Sequence, residues 1–228
     1  MLEAASAAAS QILSKPFRAV FWKTILLTLA CLALAVAGLE RLIASVSLPY
    51  AWLETALAVV GGLGLFVGAA FLVTPVSFVV SSFFFDELAA HVEEGLSPKL
   101  AGRTPPFGAA LKVSIEFALA SLLVNLLALL LLLAPGVNAI AFLGANAYLF
   151  GRGYFELAAL RFLPPAEVAR LRRENGGRLF LAGLAIAALA AVPIANLLTP
   201  LFAAAFMTRI AAPIVRPALA PLPRAAAG

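Results

Sequence analysis

The side chains of greatest chemical interest in this sequence are isolated charges beside long apolar runs. Lys112 and Glu116 lie four positions apart, just before an apolar run that begins at residue 117. On a helix this spacing places the ammonium and the carboxylate side by side, as in ordinary helix ion pairs. Ionisable groups at membrane depth also mark permeation paths. The two residues are therefore interpreted either as a pore-gating pair or as an ordinary helix pair.

A second candidate is Arg18, which follows Pro16 shortly before another apolar run. Proline favours the first turn of a helix, where free backbone N–H groups and the helix dipole attract anions. An arginine adds planar donors with a permanent charge. The alternative is that Arg18 extends its charge into water as a membrane anchor. The residues alone favour the anchor.

One four-residue pattern occurs twice in the second half of the chain, as Pro135-x-x-Asn138 and Pro193-x-x-Asn196. Each copy interrupts an apolar run. Internal repeats with broken helices are typical of transport proteins, whose sites form where unwound backbone faces a cavity. Because proline and asparagine also favour ordinary turns, the pattern predicts either two pore-lining hairpin tips or two plain turns.

Most other chemistry is excluded by composition. A single cysteine, Cys31, and a single histidine, His91, cannot build a disulfide or a Cys/His metal cluster within one chain. His91 lies in the acidic stretch 86–94, which is interpreted as a solvated helix face and not as part of a catalytic triad. The glycines of residues 61–64 lie within an apolar run and do not open a helix after a strand, as a phosphate loop would. The sequence therefore predicts no enzyme activity, metal or cofactor.

The overall composition indicates an integral membrane protein whose main partner is the lipid bilayer. Of the 228 residues 64% are hydrophobic and only 12% are charged, and the mean hydropathy is +1.06. Soluble domains carry about 25% charged residues. The net charge of +5 is spread between apolar runs, whereas a nucleic-acid binder clusters its basic residues on a solvated face. No nucleic-acid partner is expected.

The apolar runs predict an all-α membrane domain that covers residues 1–228. The runs at 24–48 and 56–85 are long enough to cross a hydrocarbon core of about 30 Å. The second run exceeds a straight crossing, so it must tilt, kink at Pro75 or emerge from the bilayer as a helix.

Two further regions, 117–150 and 179–208, each contain two short apolar segments. Apolar segments of roughly 10–14 residues suggest re-entrant or interfacial elements. Each region is therefore predicted to form a half-crossing helical hairpin, and four short full spans remain the alternative.

The distribution of basic residues predicts the orientation. Arg41 is the only one of the sixteen lysines and arginines that falls on the far side of the first span. The positive-inside rule then places both termini in the cytoplasm.

The segment between the hairpins, residues 152–178, is predicted to be a cytoplasmic connector. Pro165 and Gly176 frame a short helix within it. Its arginines could contact anionic lipid headgroups, or the segment could be an ordinary connector. Residues 213–228 form a tail rich in proline and alanine.

The chain resembles the CysZ-type sulfate permeases and the wider etoposide-induced-protein family. The resemblance is carried by residues 151–161 (GRGYFELAALR), 163–167 (LPPAE) and 192–206 (VPIANLLTPLFAAAF). Pro75 and residues 86–93 resemble the end of the family's long second helix. The likeness spans nearly the whole chain.

This resemblance implies a bacterial inner-membrane sulfate channel, built of two long spans and two half-crossing hairpins and assembled as a homo-oligomer that feeds sulfur assimilation. Residues 15–18 take the place of a Pro-Gly-Leu-Arg sulfate-binding turn, which implies anion contacts at Phe17, Arg18 and Ala19. The sequence departs from that turn, since Phe17 replaces Gly-Leu and Ala19 replaces a second arginine. A structural or envelope-assembly protein without transport activity is the alternative function.

Overall fold

The computed structural model describes residues 1–12, 14–45, 50–96, 102–130 and 135–219. Within these ranges the chain forms helices and no strand, which confirms the all-α class. The helices are α1 Leu2–Ile12, α2 Lys15–Ala44, α3 Ala51–Leu96, α4 Phe107–Leu130, α5 Pro135–Ala159, α6 Pro165–Glu174, α7 Gly176–Ala190, α8 Pro193–Asn196 and α9 Thr199–Leu219.

The two long helices α2 and α3 pack against each other along one side of the molecule. Helix α2 begins nine residues before the predicted apolar run, because Pro16 starts the helix in its first turn. The helix ends at Ala44, before the predicted end of the run at residue 48, and residues 46–48 of that run lie outside the described residues. Helix α3 has 46 residues, which is about 69 Å at 1.5 Å per residue. It is helical through Pro75 and continues past residue 85, so it is long enough to emerge from a bilayer.

Three helices of the described residues are long and apolar enough to cross a membrane, namely Lys15–Ala44, Phe107–Ala128 and Thr199–Leu219. The apolar window of α2 is only 17% buried within the chain. Large apolar side chains such as Leu26, Leu34 and Leu42 are exposed along it, as expected of a helix that faces lipid. The chain is an all-α multi-pass membrane protein.

Both Pro-x-x-Asn segments are helical. Pro135 opens α5, so the first segment is the first turn of that helix, and residues 193–196 form the short helix α8. The prediction of plain turns is therefore wrong about the backbone of these two segments, which is helical. Proline is well placed at the start of a helix. The breaks themselves lie outside the two segments, at 191–192 and 197–198 in the second hairpin.

The helices of both hairpins extend beyond the apolar segments at their polar ends. Residues 152–159 of the predicted connector continue α5, residues 176–178 begin α7, and the predicted connector helix is α6. The predicted tail also differs, since α9 continues through Pro213 and Pro217 to Leu219. Val215 is fully buried there. This packing offsets the backbone hydrogen bonds that the two prolines remove.

The hairpins are joined by an unusually close contact between α5 and α7. A Cβ atom placed on Gly183 would lie 1.8 Å from the carbonyl oxygen of Ala147 and 2.6 Å from the backbone nitrogen of Gly151. One placed on Gly151 would lie 2.3 Å from the carbonyl oxygen of Leu179. Small residues at these positions let the two backbones touch, which is how helices associate in membranes.

A buried ion cluster fixes the end of α3 to the segment after α5. The Arg161 guanidinium donates from Nε and Nη2 to the two carboxylate oxygens of Glu93, at 2.7 and 3.0 Å, and from Nη1 to Asp86 at 2.5 Å. Only 2% of the Glu93 side chain and 3% of the Arg161 side chain are exposed. Burial alone lowers the pKa of Arg161, but its contacts with Glu93 and Asp86 raise that pKa overall.

The interpretation of residues 86–94 as a solvated face is therefore wrong for Glu93. Glu87, His91 and Glu94 are exposed or half-exposed, as that interpretation requires. Asp86 and Glu93, seven positions apart, lie on the opposite, packed face. The backbone N–H of Gly102 also donates to Glu93 at 2.9 Å, so the carboxylate has partners from two segments.

Candidate functional site

The charged ends of the two arms of the first hairpin, α4 and α5, enclose a cavity of about 470 Å³ with the connector helix α6. We call it the charged cavity. Its ionisable lining residues are Lys112, Glu116, Arg152, Glu156 and Arg172. Three cations and two carboxylates therefore share one space, and the predicted pair Lys112–Glu116 forms one wall of it.

These residues form a continuous chain of ion pairs. Lys112 Nζ lies 3.8 Å from Glu116 Oε1, and Arg152 Nη2 lies 2.5 Å from Glu116 Oε2. Arg152 Nε donates to Glu156 Oε1 at 3.2 Å, and the guanidinium of Arg172 contacts the same oxygen. Each carboxylate is thus shared between two cations, so each arginine keeps N–H groups that no carboxylate accepts.

A second, smaller cavity of about 180 Å³ adjoins the first, since Arg152 and Arg172 line both. We call it the arginine cavity. Arg173, Gly176 and the phenol of Tyr148 complete its polar lining, and none of the side chains that line it is a carboxylate. Gly176 begins α7 two positions after α6 ends at Glu174. The first turn of α7 therefore starts beside three guanidinium groups, and these groups, not the helix dipoles, supply the positive charge, because the C-terminal end of α6 opposes the N-terminal end of α7 there. Such a set of donors suits an oxyanion.

The hairpin tips lie far from these cavities. Fourteen residues of α5 separate Asn138 from Arg152, or about 21 Å of helix. The side chains of Pro135, Asn138 and Pro193 lie outside the described residues. Asn196 instead lines a cavity of about 220 Å³ beside α2. Of the proposed gate residues whose side chains the structure describes, Lys112 and Glu116 therefore line the charged cavity and Asn196 lines a different one.

The sequence profile of the family described as "Sulfate transporter CysZ/Etoposide-induced protein 2.4" matches residues 4–200 of the chain. This range is most of the 228 residues. The chain belongs to this family. It is accordingly a membrane protein of a transporter family, and the suspected resemblance is confirmed. No curated protein matches the chain.

The turn at which the CysZ-type resemblance implies anion binding is structured as a helix start. Phe17 is fully buried, whereas Arg18 and Ala19 are exposed. The backbone N–H of Arg18 donates to the carbonyl oxygen of Ser14 at 3.0 Å, so that donor is already engaged. The guanidinium of Arg18 makes no ion pair in the part of the chain that the structure describes, and anion contact there stays a prediction.

Sequence reasoning missed Arg152, Glu156 and Arg172 as site residues of this transporter-family protein. A signal was present, because Arg152 and Glu156 repeat the four-residue spacing of Lys112 and Glu116 at the polar end of the other hairpin arm. Which of the sixteen basic residues share a cavity depends on how α4, α5 and α6 pack, and a linear pattern does not contain that information.

Proposed function

We propose that this protein conducts sulfate, or a related oxyanion, across the bacterial inner membrane for sulfur assimilation. The observation that carries the proposal is the arginine cavity, where three guanidinium groups and the first turn of α7 converge without an acidic lining residue. The family match supports the same conclusion. We extend the proposal to a homo-oligomer, as the resemblance implies.

The charged cavity explains how an anion could be attracted without being trapped. Four cations, namely Lys112 and the arginines 152, 172 and 173, face the two carboxylates Glu116 and Glu156 across the paired cavities. The local balance is therefore positive, which raises the concentration of anions at the entrance. The carboxylates compete with the anion for the same guanidinium donors. An entering oxyanion is held by shared contacts, and release restores the ion pairs.

Radiolabelled sulfate uptake into proteoliposomes tests this function, with Arg173→Ala as the informative variant. Arg173 lines the arginine cavity and makes no ion pair within the described residues, so its removal leaves no carboxylate unpaired. A hydrogen bond to a charged group contributes roughly 1.5–3 kcal/mol, which corresponds to about tenfold or more in affinity. We expect the uptake rate at low sulfate to fall by about that factor.

Arg170→Ala is the matched control. It removes the same charge from an equally exposed position of the same helix, but Arg170 pairs with Glu167 and Glu174 outside both cavities. It should retain wild-type uptake. Absence of uptake by the wild type would refute the proposed function and favour the structural or envelope-assembly alternative. Arg18→Ala in the same assay tests the contact implied by the resemblance, and an unchanged rate would remove Arg18 from the path.

We also propose that both termini are cytoplasmic and that the second hairpin crosses only half of the bilayer. The second hairpin's tip supports this, since Asn196 and Thr199 line one cavity with Thr28. Thr28 lies about 20 Å from the start of α2, which is about 45 Å long. The tip of the second hairpin therefore lies beside the middle of α2 and not beside its far end.

Cysteine labelling from each side of the membrane checks this topology. Cysteines placed at residues 170 and 178 should react only with reagents on the cytoplasmic side, because these positions are exposed in the connector. A cysteine at residue 197, in the tip, should resist bulky periplasmic reagents. Periplasmic labelling of residue 170 would overturn the orientation, and ready labelling of residue 197 from outside would indicate full spans.

A further inference from the structure

The cavity of about 220 Å³ beside the tip of the second hairpin contains an unusual set of hydroxyl groups. It lies between α2, α3, α5 and the start of α9. Thr24, Thr28 and Thr199 line it, each at least nine-tenths buried. Their hydroxyl oxygens have no hydrogen-bond partner within the described part of the protein. Buried polar groups without partners cost free energy, so three around one cavity require an explanation.

The three hydroxyls come from two separate elements that converge on one point. Thr24 and Thr28 are four residues apart on the packed face of α2. Phe17 and Val20, nearer the N-terminus of the same helix, are also buried. Thr199 is the first residue of α9. Ser77 of α3, Tyr154 of α5 and Asn196 of α8 add further polar side chains to a lining that is otherwise apolar.

The start of α9 gives this cavity a positive end. In the first turn of this 21-residue helix Pro200 has no N–H group, and the N–H of Phe202 donates to the carbonyl oxygen of Leu198 at 2.9 Å. The N–H groups of Thr199 and Leu201 are therefore the ones without an intrahelical acceptor. Leu198, which precedes the helix, has no side-chain oxygen to cap them. The cavity lining contains no acidic and no basic side chain. The dipole of α9 therefore sets the sign of the electrostatic potential, and it favours an anion over a cation.

We propose that this hydroxyl-lined cavity is an oxyanion-binding site at membrane depth, at which the transported ion exchanges water for threonine hydroxyls and the amide groups of α9. The inference rests on the proposed transport function and assigns it a second site. Neutral donors suit a transit site, because they replace hydration without the attraction of a fixed opposite charge. The non-helical residue Leu197 fits as well, since it lines the cavity and irregular backbone at membrane depth is tolerated where it is covered by protein or lines a water-filled space.

The test replaces the three hydroxyls by methyl groups of similar shape, in the variant Thr24→Val/Thr28→Val/Thr199→Val. Uptake of radiolabelled sulfate at low concentration should fall by at least about tenfold, as expected for the loss of hydrogen bonds to a charged ligand. Thermal stability in detergent should be equal to or above that of the wild type, because the substitution removes unpartnered buried hydroxyls.

Thr208→Val is the matched control. Thr208 lies on the same helix as Thr199, is equally buried and also has an unpartnered hydroxyl, but it does not line the cavity. It should keep wild-type uptake. The corresponding triple serine variant retains the hydroxyls and should keep most of the rate.

Three outcomes would overturn the inference in distinguishable ways. Wild-type uptake in the triple valine variant would refute the site and leave the proposed function intact. Equal losses in the serine and valine variants would show that packing, and not the hydroxyls, determines the rate. No sulfate uptake by the wild type would refute the transport function itself, and the site with it.

Discussion

Arg161→Ala is expected to lower the free energy of unfolding by about 3–5 kcal/mol, the usual cost of removing one partner from a buried ion pair. The reason is the environment of Glu93, whose side chain is 2% exposed and accepts two hydrogen bonds from Arg161. Without the guanidinium, a carboxylate remains buried with the single backbone donor of Gly102. Thermal unfolding in detergent, followed by tryptophan fluorescence, measures the loss.

The double variant Arg161→Met/Glu93→Leu separates the cost of an unpaired charge from the value of the pair. Replacing both partners by apolar residues of similar size is often neutral. The double variant leaves only the partly exposed Asp86 and the N–H of Gly102 without their partners, so it should be more stable than Arg161→Ala. Arg170→Ala, which breaks only exposed pairs, should leave stability almost unchanged. If Arg161→Ala were as stable as Arg170→Ala, the ion cluster would not hold α3 in place.

Gly183→Ala is expected to prevent stable packing of the two hairpins. The added methyl group would lie 1.8 Å from the Ala147 carbonyl oxygen and 2.6 Å from the Gly151 nitrogen. Both are backbone atoms, so α5 as a whole must move away from α7. We expect a loss of stability above the roughly 1–3 kcal/mol that overpacking typically costs. The fraction of monodisperse protein after detergent extraction and its melting temperature measure the effect.

Gly144→Ala provides the control for that substitution. Gly144 lies on α5, and a Cβ atom placed there would meet nothing within 4 Å. This variant should keep the stability of the wild type or gain a little, since alanine is the better helix former. A Gly183→Ala variant as stable as Gly144→Ala would contradict the close contact between α5 and α7.

Sequence patterns predicted the elements because the bilayer constrains them locally. A run of apolar residues without charges must be helical in a membrane, since each backbone group has to be satisfied within the segment. Residues 24–44 of the first run and the whole run at 56–85 fall within α2 and α3, and Pro165 marks the start of the connector helix as predicted. Boundaries were less accurate, because α2, α3 and α5 continue as helices beyond their apolar runs.

The sequence by itself determined the class of this protein, its helical elements and its family resemblance, because these depend on composition, apolar length and local motifs. Only the tertiary structure decided which polar groups meet. Glu93 appeared to belong to a solvated stretch, yet it is buried against Arg161, which is 68 positions away. Thr28 and Thr199 lie within apolar stretches of the sequence that are 171 positions apart, yet they line one cavity. The physical reason is that each helix depends on residues that are neighbours along the chain, whereas a site depends on which faces the helices turn toward one another. Those faces are fixed by close contacts such as the one at Gly183.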